Sequence, residues 1–91
     1  MKYVVVDTEF DRVLVYDTLA QALKVFNALI NQFYDRYYPF VRVKVLSTEE
    51  FKELQQRYNI RGKPISGFRL VRYSGGVYPT TEKIIALFEV Y

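Results

Sequence analysis

Between Leu54 and Thr81 the chain holds no acidic residue, yet Arg57, Arg61, Lys63, Arg69 and Arg72 all fall there, interleaved with Tyr58, Phe68, Tyr73 and Tyr78. Guanidinium groups bind phosphates and carboxylates through paired N–H donors, and tyrosine rings stack on unpaired bases. A basic, aromatic stretch whose glycines let a backbone approach closely is suited to a polyanion. Arg57, Arg61, Lys63, Arg69, Arg72 and Tyr73 are therefore the candidate contacts to an acidic or polyanionic partner, and Arg42 and Lys44 extend them. The same residues also read as a helix exit followed by a strand with a solvated face. The odd spacing of Arg69 and Arg72 sends the two to opposite faces of a regular strand.

A second group, Tyr34, Tyr37, Tyr38 and Phe40, suits a protein interface, because a tyrosine ring buries area while its hydroxyl stays hydrogen-bonded. A third is acidic. Asp7-Thr8-Glu9 directly follows Val4-Val5-Val6, and VVVDTE resembles the opening motif of the DEDD metal-dependent exonucleases, in which such an Asp and Glu hold ions that activate water. The resemblance spans about six residues. That family uses further aspartates, and here the last is Asp35. Asp7, Glu9 and Asp11 equally read as solvated residues of a hairpin loop. The segment Tyr58 to Ile65 resembles the approach to the cis-proline of thioredoxins, which would make Pro64 that proline. The Cys-x-x-Cys of that family is missing, so the resemblance implies a redox-inactive relative. The alternative is a helix stop followed by a trans proline in an extended strand.

Composition removes most other chemistry. The chain has no cysteine and no histidine, so thiolate catalysis, disulfides and imidazole-based acid–base or metal chemistry are out of reach. Carboxylates, Lys, Tyr and Ser/Thr remain, without an evident activated pair, and the reading is non-enzymatic with no cofactor, metal or small-molecule ligand implied. Net charge is +3. No apolar run is long enough to span a bilayer, and Asp7 interrupts the start too soon for a signal peptide. A cytoplasmic protein is expected, and a single Met with no Cys leans towards a thermophile.

These groups need a scaffold. A chain of 91 residues with an apolar fraction of 51% is one domain, 1–91, with enough burial to fold unaided. Val4–Val6 and Val13–Tyr16 predict an opening hairpin. Thr18 and Gln21 fit a capping box, and Leu19, Leu23, Phe26, Ile30 and Phe33 form a helical stripe that Ala22, Val25 and Leu29 broaden. So broad a stripe predicts cover from a second helix or a partner subunit. Val41-Arg42-Val43-Lys44-Val45 alternates as a half-buried strand. Ser47 to Glu50 opens a second helix with Phe51, Leu54 and Tyr58 inward and a Glu53–Arg57 pair, stopped by Gly62 and Pro64. Phe68–Tyr73 predicts a strand, Ser74-Gly75-Gly76 a turn, and 81–91 a strand over a helix by its β-branched content. The fold class expected is α+β: hairpin, helix, strand, helix, hairpin in two layers, both helices on one face of a mainly antiparallel sheet. The expected role is a protein-interaction module, homodimeric, whose 57–73 surface meets an acidic or polyanionic partner. Nucleic acid is the alternative partner for the same segment.

Overall fold

In the computed structural model, residues 1–74 and 78–91 are described. The chain runs β1 (Lys2–Asp7), β2 (Arg12–Tyr16), α1 (Leu19–Tyr37), β3 (Val41–Val45), α2 (Thr48–Arg57), β4 (Gly62–Ser74) and β5 (Tyr78–Val90). The α+β class and the element order match expectation, and the last element is a strand. All strand pairs are antiparallel, in the order β2-β1-β5-β4-β3. The turn read at Ser74-Gly75-Gly76 lies, past Ser74, outside the described residues.

The layering differs from the two layers expected. Successive residues of β1 and β5 serve different cores. Val5, Ile85 and Leu87 pack with Ala22, Phe26, Leu29 and Phe33 of α1, whereas Val4, Val6, Ala86 and Phe88 pack with Leu54 of α2. Side chains alternate across a strand, so the helices lie on opposite faces and the molecule has three layers. This is why Val4-Val5-Val6 and Ile85–Phe88 are apolar without alternation: central strands covered on both sides have no solvated face.

α1 also needs less external cover than its stripe predicts. Leu23, Val25 and Ile30 are only half-buried, but they rest against the same cluster as the buried residues. The sheet supplies most of the cover that was assigned to a second helix or subunit. The Thr18 hydroxyl accepts from the Gln21 N–H at the N-cap of α1. The Ser47–Glu50 capping box of α2 forms in both directions: the Ser47 hydroxyl accepts from the Glu50 N–H and the Glu50 carboxylate from the Ser47 N–H.

β4 is longer than the strand read from Phe68 to Tyr73. It begins at Gly62, pairs along β5, and absorbs Pro64 beside a bulge, where a missing N–H is tolerated. α2 ends earlier, with Asn59 in the left-handed region at φ 53. Gly62 serves a different need, since a Cβ there would stand 1.9 Å from the Glu89 carbonyl oxygen. Pro64 is trans, against the thioredoxin resemblance; the cis peptide among the described residues is Tyr38–Pro39. β3 is not half-buried. It is an edge strand whose Val43 and Val45 stay exposed.

Candidate binding surface

The acidic triplet at the first hairpin is tied to cations. Asp7 is fully buried, and its carboxylate accepts from the Glu9 backbone N–H at 3.0 Å and from Arg12 at 3.2 Å. The Lys83 ammonium, 4% exposed, lies 3.5 Å from Asp7 and 3.7 Å from Glu9. Asp11 turns the other way, at φ 51, accepting from the Tyr58 hydroxyl at 2.7 Å and from Arg57 at 3.1 Å. The Tyr58 hydroxyl and the Arg57 guanidinium hold the Asp11 carboxyl below its ordinary range, while burial and then Asp11 push the Tyr58 hydroxyl up. These carboxylates are structural counter-charges, the opposite of a cluster awaiting a cation.

The basic segment is likewise divided, and Arg57, Arg61, Lys63, Arg69 and Arg72 do not share a surface. Arg57 joins α2 to the β1–β2 turn through Asp11, in place of the Glu53 pair read from spacing. Arg69 lies on the α2 side between Glu50 and Glu82, compensated by both. The Ser47 N–H, then Arg69, lowers the Glu50 carboxyl to about 2. Arg61 is exposed at the start of β4, beside an open groove of about 360 Å³ floored by Val4, Val13 and Val90. Lys63 is exposed opposite Glu89. Nine residue-to-residue steps along the strand separate Lys63 from Arg72, roughly 30 Å at the rise of an extended chain.

What the fold does assemble is an arginine and tyrosine cluster at the C-terminal end of α1, drawn from both sequence groups. Four-residue spacing at the helix end brings Tyr34 against Tyr38 at a tilt, ring centres 5.6 Å apart, and sets Phe33 edge-on to Tyr37 at 4.9 Å. Phe40 closes the turn: its N–H donates to the Tyr37 carbonyl, and its own carbonyl accepts from the Tyr73 N–H. The β3–β4 register sets Val41 opposite Arg72 and Arg42 opposite Val71. Arg72 then lies over the Tyr37 ring at 4.6 Å, Arg36 over the same ring at 5.7 Å, and Arg42 over Tyr73 at 4.9 Å. Arg72 projects on the α1 side of the sheet and Arg42 on the α2 side, so the cluster wraps the end of the β3–β4 ladder. A shallow pocket of about 120 Å³ between Phe40, Arg42 and Tyr73 marks the wrap.

Of the sequence candidates, Arg72, Tyr73, Tyr34, Tyr37, Tyr38 and Phe40 meet here, while Arg57, Arg61, Lys63 and Arg69 do not. Tyr37 is half-buried and works as an internal platform; Tyr34, Tyr38 and Phe40 are exposed, Tyr38 at 66%. Arg36 was missed. Its signal was local, a cation in the last turn of an aromatic helix end. Among the described residues, Arg36, Arg42 and Arg72 meet no carboxylate within ion-pair distance, unlike Arg57 and Arg69. A guanidinium within cation–π distance of a ring keeps its N–H donors free for a carboxylate or phosphate.

No protein-family model matches the chain, and no curated protein or solved structure matches it.

Proposed function

We propose that this protein is a non-enzymatic interaction module that binds an acidic protein partner through Arg36, Arg42 and Arg72. One observation carries the reading: these arginines rest on tyrosine rings without a carboxylate of their own among the described residues, whereas Arg57 and Arg69 are used within the fold. The ring contacts restrict the three side chains, which lowers the ordering cost of binding. Nucleic acid is the second reading for the same cluster, supported by the exposed Tyr34–Tyr38 pair, which offers rings for base stacking beside the arginines.

The test is size-exclusion chromatography with light scattering at about 50 and 500 mM salt, with poly-glutamate or a mixed-sequence oligonucleotide. Co-elution with poly-glutamate at low salt, weakened by Arg42→Ala and Arg72→Ala but not by Lys63→Ala, supports the acidic-partner reading. Preference for the oligonucleotide moves the nucleic-acid reading ahead. Indifference to both, in wild type and variants alike, sinks the cluster as a binding surface. The mass measured in the same runs decides whether Tyr34, Tyr38 and Phe40 join two copies.

A further inference from the structure

We infer that the acidic partner enters as an extended segment, adding an antiparallel strand to the free edge of β3. This rests on the reading of the arginine cluster as a binding surface and specifies how the partner presents its acids. Among the described residues, β3 ends the sheet and pairs only with β4. Two hydrogen bonds bracket that ladder: the Tyr73 N–H donates to the Phe40 carbonyl at 3.0 Å, and the Leu46 N–H donates to the Gly67 carbonyl at 3.1 Å. They set its parity. In an antiparallel pair alternate residues direct both backbone groups to the neighbour, so Phe40, Arg42, Lys44 and Leu46 face β4. Val41, Val43 and Val45 therefore direct their N–H and C=O groups to the open side.

Side chains divide the same way. The valines lie on the α1 side opposite Phe68, Leu70 and Arg72, yet Val43 is 45% and Val45 68% exposed, because α1 lies mainly over β5, β1, β2 and β4. Arg42 and Lys44 project on the α2 side. Lys44 sits across from Arg69, whose own charge is met by Glu50 and Glu82, and Lys44 has no acid among the described residues. An incoming strand thus meets bare backbone groups, an aliphatic row on one face and uncompensated cations on the other.

A second copy fits this edge badly. Antiparallel self-pairing centred on Val43 sets Arg42 against Lys44, and centring on Arg42 or Lys44 sets like residue against like; opposed like charges destabilise a strand pair. Edge cations commonly block self-association. The same cations select a strand that alternates aliphatic and acidic residues, valine-like side chains meeting Val43 and Val45 and carboxylates meeting Arg42 and Lys44. Arg72, on the aliphatic side, and Arg42 bracket the entry point.

The test is amide nuclear magnetic resonance on the full labelled chain, titrated with a short peptide of alternating glutamate and valine. The expected result is perturbation centred on Val41, Val43 and Val45. Methylating the peptide's valine amides, which face β3 in antiparallel register, should weaken binding about tenfold, the worth of one or two lost hydrogen bonds; methylating its glutamate amides should not. Arg42→Glu with Lys44→Glu should transfer the preference to a lysine–valine peptide. If poly-glutamate binds as well as the alternating peptide and methylation has no effect, strand addition is overturned while the cluster remains a polyanion surface. If neither peptide nor poly-glutamate binds, both readings fall together.

Discussion

Glu50 performs two tasks at once, accepting the Ser47 N–H at the start of α2 and meeting Arg69 from the neighbouring strand. Both favour the ionised form, so its pKa in the fold lies near 2, below its ordinary 4.5. A carboxyl depressed in this way contributes stability that is fully present above about 4.5 and is lost as pH falls towards 2. Glu50→Gln keeps much of the cap and loses the charge. Its unfolding free energy, followed by urea titration across pH 2–5, should fall less steeply with acidification than that of the wild type. Asp7 poses a different problem, since it is fully buried among cations. Removing it strands Lys83 with Glu9 alone at 3.7 Å. Asp7→Ala should cost about 3–5 kcal/mol in chemical denaturation, and a loss under 1 kcal/mol would contradict a structural role.

The two glycines of β4 sit in different surroundings, and the element responds accordingly. A Cβ at Gly67 would meet the side chains of Leu46 at 2.6 Å and Phe51 at 2.8 Å, atoms that can shift. Gly67→Ala should cost about 1–3 kcal/mol, the usual range for overpacking. At Gly62 the obstacle is the Glu89 backbone, which cannot rotate aside without separating β4 from β5 where Gly62 pairs with Val90. Gly62→Ala should therefore destabilise more than Gly67→Ala, and thermal melts of the two variants check the order. Neither contact was legible in the chain. Gly62 reads there as a helix stop, because a glycine after an amphipathic run fits a C-terminal cap and the strand pressed against it lies far away in sequence.

At the scale of the whole molecule, the sheet separates two cores. Leu29 is buried on the α1 side and Leu54 on the α2 side. Leu29→Ala and Leu54→Ala should each cost about 2–5 kcal/mol, and their effects should add within about 0.5 kcal/mol, since they share no partner. Strong coupling in the double variant, measured by urea unfolding, would contradict separate cores. The same partition governs the charges. β4 sends Arg69 to the face where α2 supplies Glu50, and Arg72 to the face where α1 supplies Tyr37, so neighbours in sequence become one spent cation and one available one.

The chain by itself determined the class, the order of elements, the N-terminal caps of both helices and the alternation of β3, because each depends on residues within a few positions of one another. It also marked both groups of candidate residues, and Arg69 and Arg72 were already separated by strand parity. The tertiary structure decided which cations remain available, that α2 covers the face opposite α1, that β3 is an edge, and that Arg72 and Tyr73 join Tyr34, Tyr37, Tyr38 and Phe40 with Arg36 and Arg42. Each of these outcomes depends on pairings between distant segments, β1 with β5 and β3 with β4, which local periodicity does not encode.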